Sequence, residues 1–173
     1  MKLTNKSTII TVLVVVVLLG GFLAVRYGSN VGAEALRNVR DTGETRTSFS
    51  EKAAALDLGS VSMARGKAVH RFLVLNDVGR DIVVRRAMTS CMCTTAYLAV
   101  RGESPMGPFG MPGHGVVPVI DKRVESGEEL LVSVVFDPAA HGPSGIGAVS
   151  REVSLERADG SRMTLEFRVN VTP

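Results

Sequence analysis

The stretch VSREVSLERADGSRMTLEFRVNVT, residues 149–172, decides the fold. Met163, Leu165, Phe167, Val169 and Val171 alternate with Thr164, Glu166, Arg168, Asn170 and Thr172. A period of two places the apolar set on one face of a strand and the polar set on the other. Val149, Val153 and Leu155 form a similar face opposite Ser150, Glu152, Ser154 and Glu156. Ala158-Asp159-Gly160-Ser161 separates the two strands, and Asp-Gly tolerates the positive φ angles that a tight hairpin needs.

The same period continues towards the N-terminus. Leu130, Val132, Val134 and Phe136 make an apolar face from which Ser133 and Asp137 point away. Phe72, Val74 and Asn76 share one face, with Val69, Leu73 and Leu75 on the other. Turns are expected at Asp77–Asp81 around Gly79 and at Glu125–Glu129 around Gly127. Short strands with turn signals every ten or so residues predict an all-β, antiparallel sandwich over 53–173. Ser104 to Pro118, rich in glycine and proline, reads as a long loop.

Ahead of the domain, Ile9 to Val25 is an uninterrupted run of uncharged residues preceded by Lys2 and Lys6. At about 1.5 Å per residue it comes close to spanning a hydrocarbon core of about 30 Å. We expect a short basic N-terminus (1–8) and one transmembrane helix (9–25). The alternative for 9–25 is the apolar region of a signal peptide. The first A-x-A after the run, Ala33-Glu34-Ala35, lies well past the apolar end, which favours an uncleaved anchor. Lys2 and Lys6 favour an inside N-terminus. The expected location is the cell membrane, single-pass, with the C-terminal domain outside the cytoplasm. Residues 26–52 are polar and mixed in charge and read as a linker, with a helical turn around Ala33 to Arg40.

The 173 residues carry 20 basic against 17 acidic side chains, and aromatic residues make up 5%. The basic residues are scattered and not interleaved with stacking rings, so nucleic-acid binding has no support. Two cysteines one residue apart form a local site instead of a disulfide framework.

Leu56-Asp57-Leu58-Gly59, His70 to Asn76 with Gly79, Thr89-Ser90-Cys91-Met92-Cys93-Thr94, Ser126-Gly127-Glu128 and Val135-Phe136-Asp137-Pro138 follow one another in order. In order and spacing this resembles the DUF1573 family, bacterial immunoglobulin-like domains related to the ASH and major-sperm-protein-like sandwiches. The resemblance covers about Ala54 to Val171. It implies an immunoglobulin-like fold and an exported or surface-anchored protein, and assigns no molecular role. Met92 stands where the family usually has glycine, and the loop Pro105 to Pro118 is longer and richer in methionine.

Cys91 and Cys93, at i and i+2, are expected on a strand with both side chains on one face, roughly 6–7 Å apart at Cβ. Met106, Met111 and His114 on the following loop, and His141 later, add thioether and imidazole donors. Thiolate, thioether and imidazole are soft ligands suited to Cu(I). The alternatives are a structural or disulfide-bonded pair without metal, and a thiol–disulfide centre helped by Arg85, Arg86 or Lys122. Asp137 to Gly145 fits a rigid turn in which Asp137 accepts from a backbone amide two residues on.

The leading functional expectation is a non-enzymatic interaction or structural module without cofactor. It would be held to the membrane by the N-terminal helix, with a protein partner that the sequence does not name. The runner-up is a copper-binding protein using Cys91, Cys93, Met106, Met111, His114 and His141. A thiol–disulfide redox protein comes third.

Overall fold

The computed structural model describes residues 12, 14–16, 34, 36–37, 39–51 and 55–173. Ten strands follow in order: β1 (Arg40–Ser48), β2 (Leu56–Ser62), β3 (Ala68–Leu75), β4 (Ile82–Thr89), β5 (Thr94–Val100), β6 (Met106–Phe109), β7 (Lys122–Val124), β8 (Glu129–Phe136), β9 (Gly147–Arg157) and β10 (Arg162–Thr172). They form two five-stranded sheets, ordered β1-β3-β8-β5-β6 and β2-β10-β9-β4-β7. Both sheets direct their apolar faces into one core, giving a sandwich-like all-β architecture.

The period-two reading of β10 holds residue by residue. Met163, Leu165, Phe167, Val169 and Val171 are all buried, and the hairpin pairs Met163 with Leu155 and Leu165 with Val153. Gly160 supplies the positive φ (82°), and Asp159 Oδ1 accepts from the Ser161 amide at 2.9 Å. Phe136 and Phe167 meet edge-to-face across the sheets, with centroids 5.9 Å apart.

Three expectations are corrected. The sheets are mixed: β1 runs parallel to β3, and β2 parallel to β10. Hydrophobic period says which face a strand buries and nothing about the direction of its neighbour, and no short turn joins either parallel pair. Second, Arg40–Ser48, expected within the linker, is an edge strand. Its polar composition hides it from apolar patterning, and charged residues at a sheet edge discourage pairing with another chain. Third, Ser104 to Pro118 contains β6, which pairs Met106 with Leu98 and Phe109 with Ala96. A Cβ on Gly107 would fall 2.8 Å from the Ala96 carbonyl oxygen, so only glycine allows this approach.

Ser133 does point away from the core face of β8, yet it is buried. Val69, Tyr97 and Val135 form a small second cluster on that face, against which Leu36 and Val39 pack.

The expected transmembrane segment falls mostly outside the described residues. Of it, Val12 and Val14 to Val16 are helical and exposed. Among the described residues, no helix is long and apolar enough to cross a membrane.

His70 fastens β1 to β3. Thr42 Oγ1 donates to the Val69 carbonyl at 2.9 Å, so towards His70 it acts as acceptor, 3.2 Å from Nδ1. Nδ1 therefore carries the proton, and Nε2 accepts from the Thr45 hydroxyl at 3.0 Å. Burial pushes the His70 pKa below its ordinary value. A hydrogen bond to the Thr42 backbone and the Asp41 and Glu44 carboxylates oppose this, while Arg71 reinforces it. A depressed folded-state pKa means that the unfolded chain binds more protons below about pH 6.5, so stability falls as pH drops through that value. We expect the thermal midpoint to decline between pH 7 and pH 5, and His70→Gln to flatten the decline. An unchanged slope in His70→Gln would show that His70 is not its source.

Candidate metal centre

Cys91, Met92 and Cys93 occupy the turn between β4 and β5. They are not on a strand, which corrects the expected placement. The Thr94 amide donates to the Cys91 carbonyl at 3.1 Å and closes the turn. The Thr89 hydroxyl lies 3.1 Å from the Cys91 carbonyl oxygen and 2.9 Å from that of Thr94, bracing the turn from below. The Asp137 amide donates to the Cys93 carbonyl at 2.8 Å, which ties the turn to the end of β8.

Turning, instead of extending, brings the sulfurs together. Cys93 Sγ stands 2.9 Å from Cys91 Sγ, and both cysteines are free thiols. The loop after β8 brings in a third donor. Asp137 Oδ1 accepts from the Ala139 amide at 3.0 Å, the two-residue link expected from the sequence. A 3-10 turn over Gly142–Gly145 follows, and Ser144 Oγ donates to the His141 carbonyl at 2.6 Å. His141 Nε2 then lies 3.2 Å from Cys91 Sγ. The three ligand atoms of Cys91, Cys93 and His141 all lie within 4.8 Å of one another. Cys93 is buried, Cys91 is partly buried and His141 is exposed, so the cluster opens to solvent on the imidazole side.

Arg151 completes the surroundings. Its Nε donates to Cys93 Sγ at 3.0 Å, and one terminal nitrogen donates to the Ser150 carbonyl at 2.7 Å. The sequence reading named Arg85, Arg86 and Lys122 as helpers. The structure pairs them elsewhere, with Asp121, Glu156 and Glu103. A signal for Arg151 was present in the chain. It interrupts the apolar face of Val149, Val153 and Leu155, and a cation on a core-facing position needs a partner there.

Burial raises the Cys91 pKa, but hydrogen bonds from Cys93 and its amide and from His141, together with the Arg151 charge, outweigh it and lower it to about 7. Burial and the neighbouring Cys91 push Cys93 up, with Arg151 opposing. The pair thus readily gives up one proton near neutrality and holds the second more tightly.

Met106 and His114, also expected as donors, are not gathered in this way. Met106 packs against the core opposite Leu98, about 13 Å along β5 from the turn at about 3.3 Å per residue. The Gly110 carbonyl accepts from the Thr89 amide at 3.1 Å, which brings the start of the Met111–His114 segment beside β4. His114 lies outside the three-residue cluster.

The donor set fits a soft ion. Two thiolates and one imidazole suit a three-coordinate Cu(I). With metal–sulfur bonds of about 2.3 Å, trigonal ligation sets the sulfurs about 4 Å apart. The cysteines would have to spread by about 1 Å, within reach of side-chain rotation on a turn. No family model matches the chain, and no curated protein matches it.

Proposed function

We propose that this protein is a membrane-anchored, extracytoplasmic immunoglobulin-like module that binds Cu(I) through Cys91, Cys93 and His141. The carrying observation is the convergence of two thiols and one imidazole from loops fifty residues apart in sequence. The apolar run Ile9 to Val25 supports the anchor, and the DUF1573 resemblance supports the immunoglobulin-like assignment. Cys91 and Cys93 supply thiolates, and His141 supplies a neutral imidazole from the solvent side. The fold supplies rigidity, because each loop leaves a strand of the core. The site binds the ion, and no chemical conversion is assigned to it.

The test is a Cu(I) titration of the full-length reduced protein in detergent, against a chromophoric chelator. The expected result is uptake of one equivalent by wild type and by Met163→Leu, and none by the Cys91→Ser/Cys93→Ser double variant. Equal uptake by the double variant and wild type would end the proposal. The full chain is the right material, because a fragment beginning at residue 45 would cut β1 and remove Thr42 from His70.

One observation favours a second reading, a thiol–disulfide centre: the lowered Cys91 thiol lies against the Cys93 sulfur. Reversible oxidation of the pair in a protein that binds no Cu(I) would select it.

A further inference from the structure

We infer that Arg151 makes this site selective for a monovalent soft ion over a divalent one. The inference rests on the Cu(I) reading above and concerns which charge the site is built to balance. Two thiolates, a neutral imidazole and Cu(I) sum to one net negative charge. The Arg151 guanidinium, always protonated, brings that sum to zero. The same ligands around Zn(II) are already neutral, and Arg151 then leaves one uncompensated positive charge. Cys93 is buried, so an unbalanced charge beside it is costly.

The geometry makes Arg151 a fixed counter-charge. Its Nε is 3.0 Å from Cys93 Sγ, and a terminal nitrogen of the same guanidinium donates to the Ser150 carbonyl at 2.7 Å. Arg151 stands on β9 opposite Phe167 of β10, so its backbone belongs to the sheet pairing. Of the other charges near the turn, Glu152 bonds Ser90 through its backbone and is exposed on β9 next to Arg151. Asp137 is paired with Lys67 and bonded to the Ala139 amide. Among the described residues, Arg151 is the permanently charged side chain hydrogen-bonded to a site sulfur.

Arg151 is a positioning and specificity residue, since it touches a ligand and not the ion. It also eases loss of the thiol protons, but that helps every metal alike and cancels in a ratio of affinities. The ratio of Cu(I) to Zn(II) affinity therefore reports the charge balance.

The experiment measures both affinities at one pH for full-length wild type, Arg151→Met and Arg151→Lys, by competition with chelators of known strength. Arg151→Met should lower the Cu(I)/Zn(II) ratio about tenfold or more, while Arg151→Lys should keep it within about threefold of wild type. If Arg151→Met does not fold, Arg151→Gln takes its place. Equal losses for both ions would mean a structural role and overturn the inference, as would an unchanged ratio or a lysine variant as poor as methionine. Wild type that binds Cu(I) with an unaltered ratio in the variants sinks this inference alone. Wild type that takes up no Cu(I) removes the underlying site reading and this inference with it.

Discussion

His141→Ala is expected to weaken Cu(I) binding by more than about a hundredfold, while His114→Ala and Met106→Leu change it less than about threefold. Loss of a partner outside the ligand shell already costs roughly 10–100-fold in metal sites, and His141 is one of three direct donors. Removing it leaves two sulfurs on one turn, open to solvent where the imidazole stood. His114 and Met106 carry the same donor types but lie apart from the cluster. Competition titration of the three variants decides it. A large loss in His114→Ala with His141→Ala unchanged would mean that the methionine- and histidine-bearing loop, not the β8–β9 loop, supplies the third ligand.

Asn76→Ala should destabilise the domain by roughly 3–5 kcal/mol, a large part of the ~5–15 kcal/mol that holds a typical domain folded. Asn76 is fully buried just beyond β3, at the end of the sandwich away from the cysteines. Its Nδ2 lies 2.9 Å from the Arg80 carbonyl oxygen and 3.0 Å from each of the Val124 and Glu125 carbonyl oxygens. Its Oδ1 accepts from the Val78 amide at 3.2 Å. Its own amide and carbonyl bond Glu128 and Gly127 at 2.8 Å each. One side chain thus joins the β3–β4 turn to the β7–β8 turn. Alanine keeps the backbone bonds but strips partners from up to three carbonyls and one amide, each worth about 1–3 kcal/mol when buried. Urea unfolding followed by circular dichroism measures the loss. A change below about 1 kcal/mol would show that water replaces the amide.

The two sites differ in how far the chain announces them. Asn76 was visible as a polar residue on the face of Phe72 and Val74, and Gly79 and Gly127 were visible as turns. That the asparagine bonds both turns was not visible, because Val124 and Glu125 lie almost fifty residues away. The cysteine pair was legible as a local site from spacing alone. A strand placement would have set the Cβ atoms roughly 6–7 Å apart on one face, and Thr89 with the Thr94 amide enforces a turn instead.

Strand faces, the Asp159-Gly160 hairpin and the apolar run Ile9 to Val25 follow from the chain itself, because each depends on residues a few positions apart. Period and turn chemistry are local properties of the backbone. The parallel docking of β1 and β2, the placing of His141 against Cys91 and that of Arg151 against Cys93 came only with the tertiary structure. Each joins groups separated by some 25 to 110 residues, and such contacts are set by how the sheets stack, which no local pattern encodes.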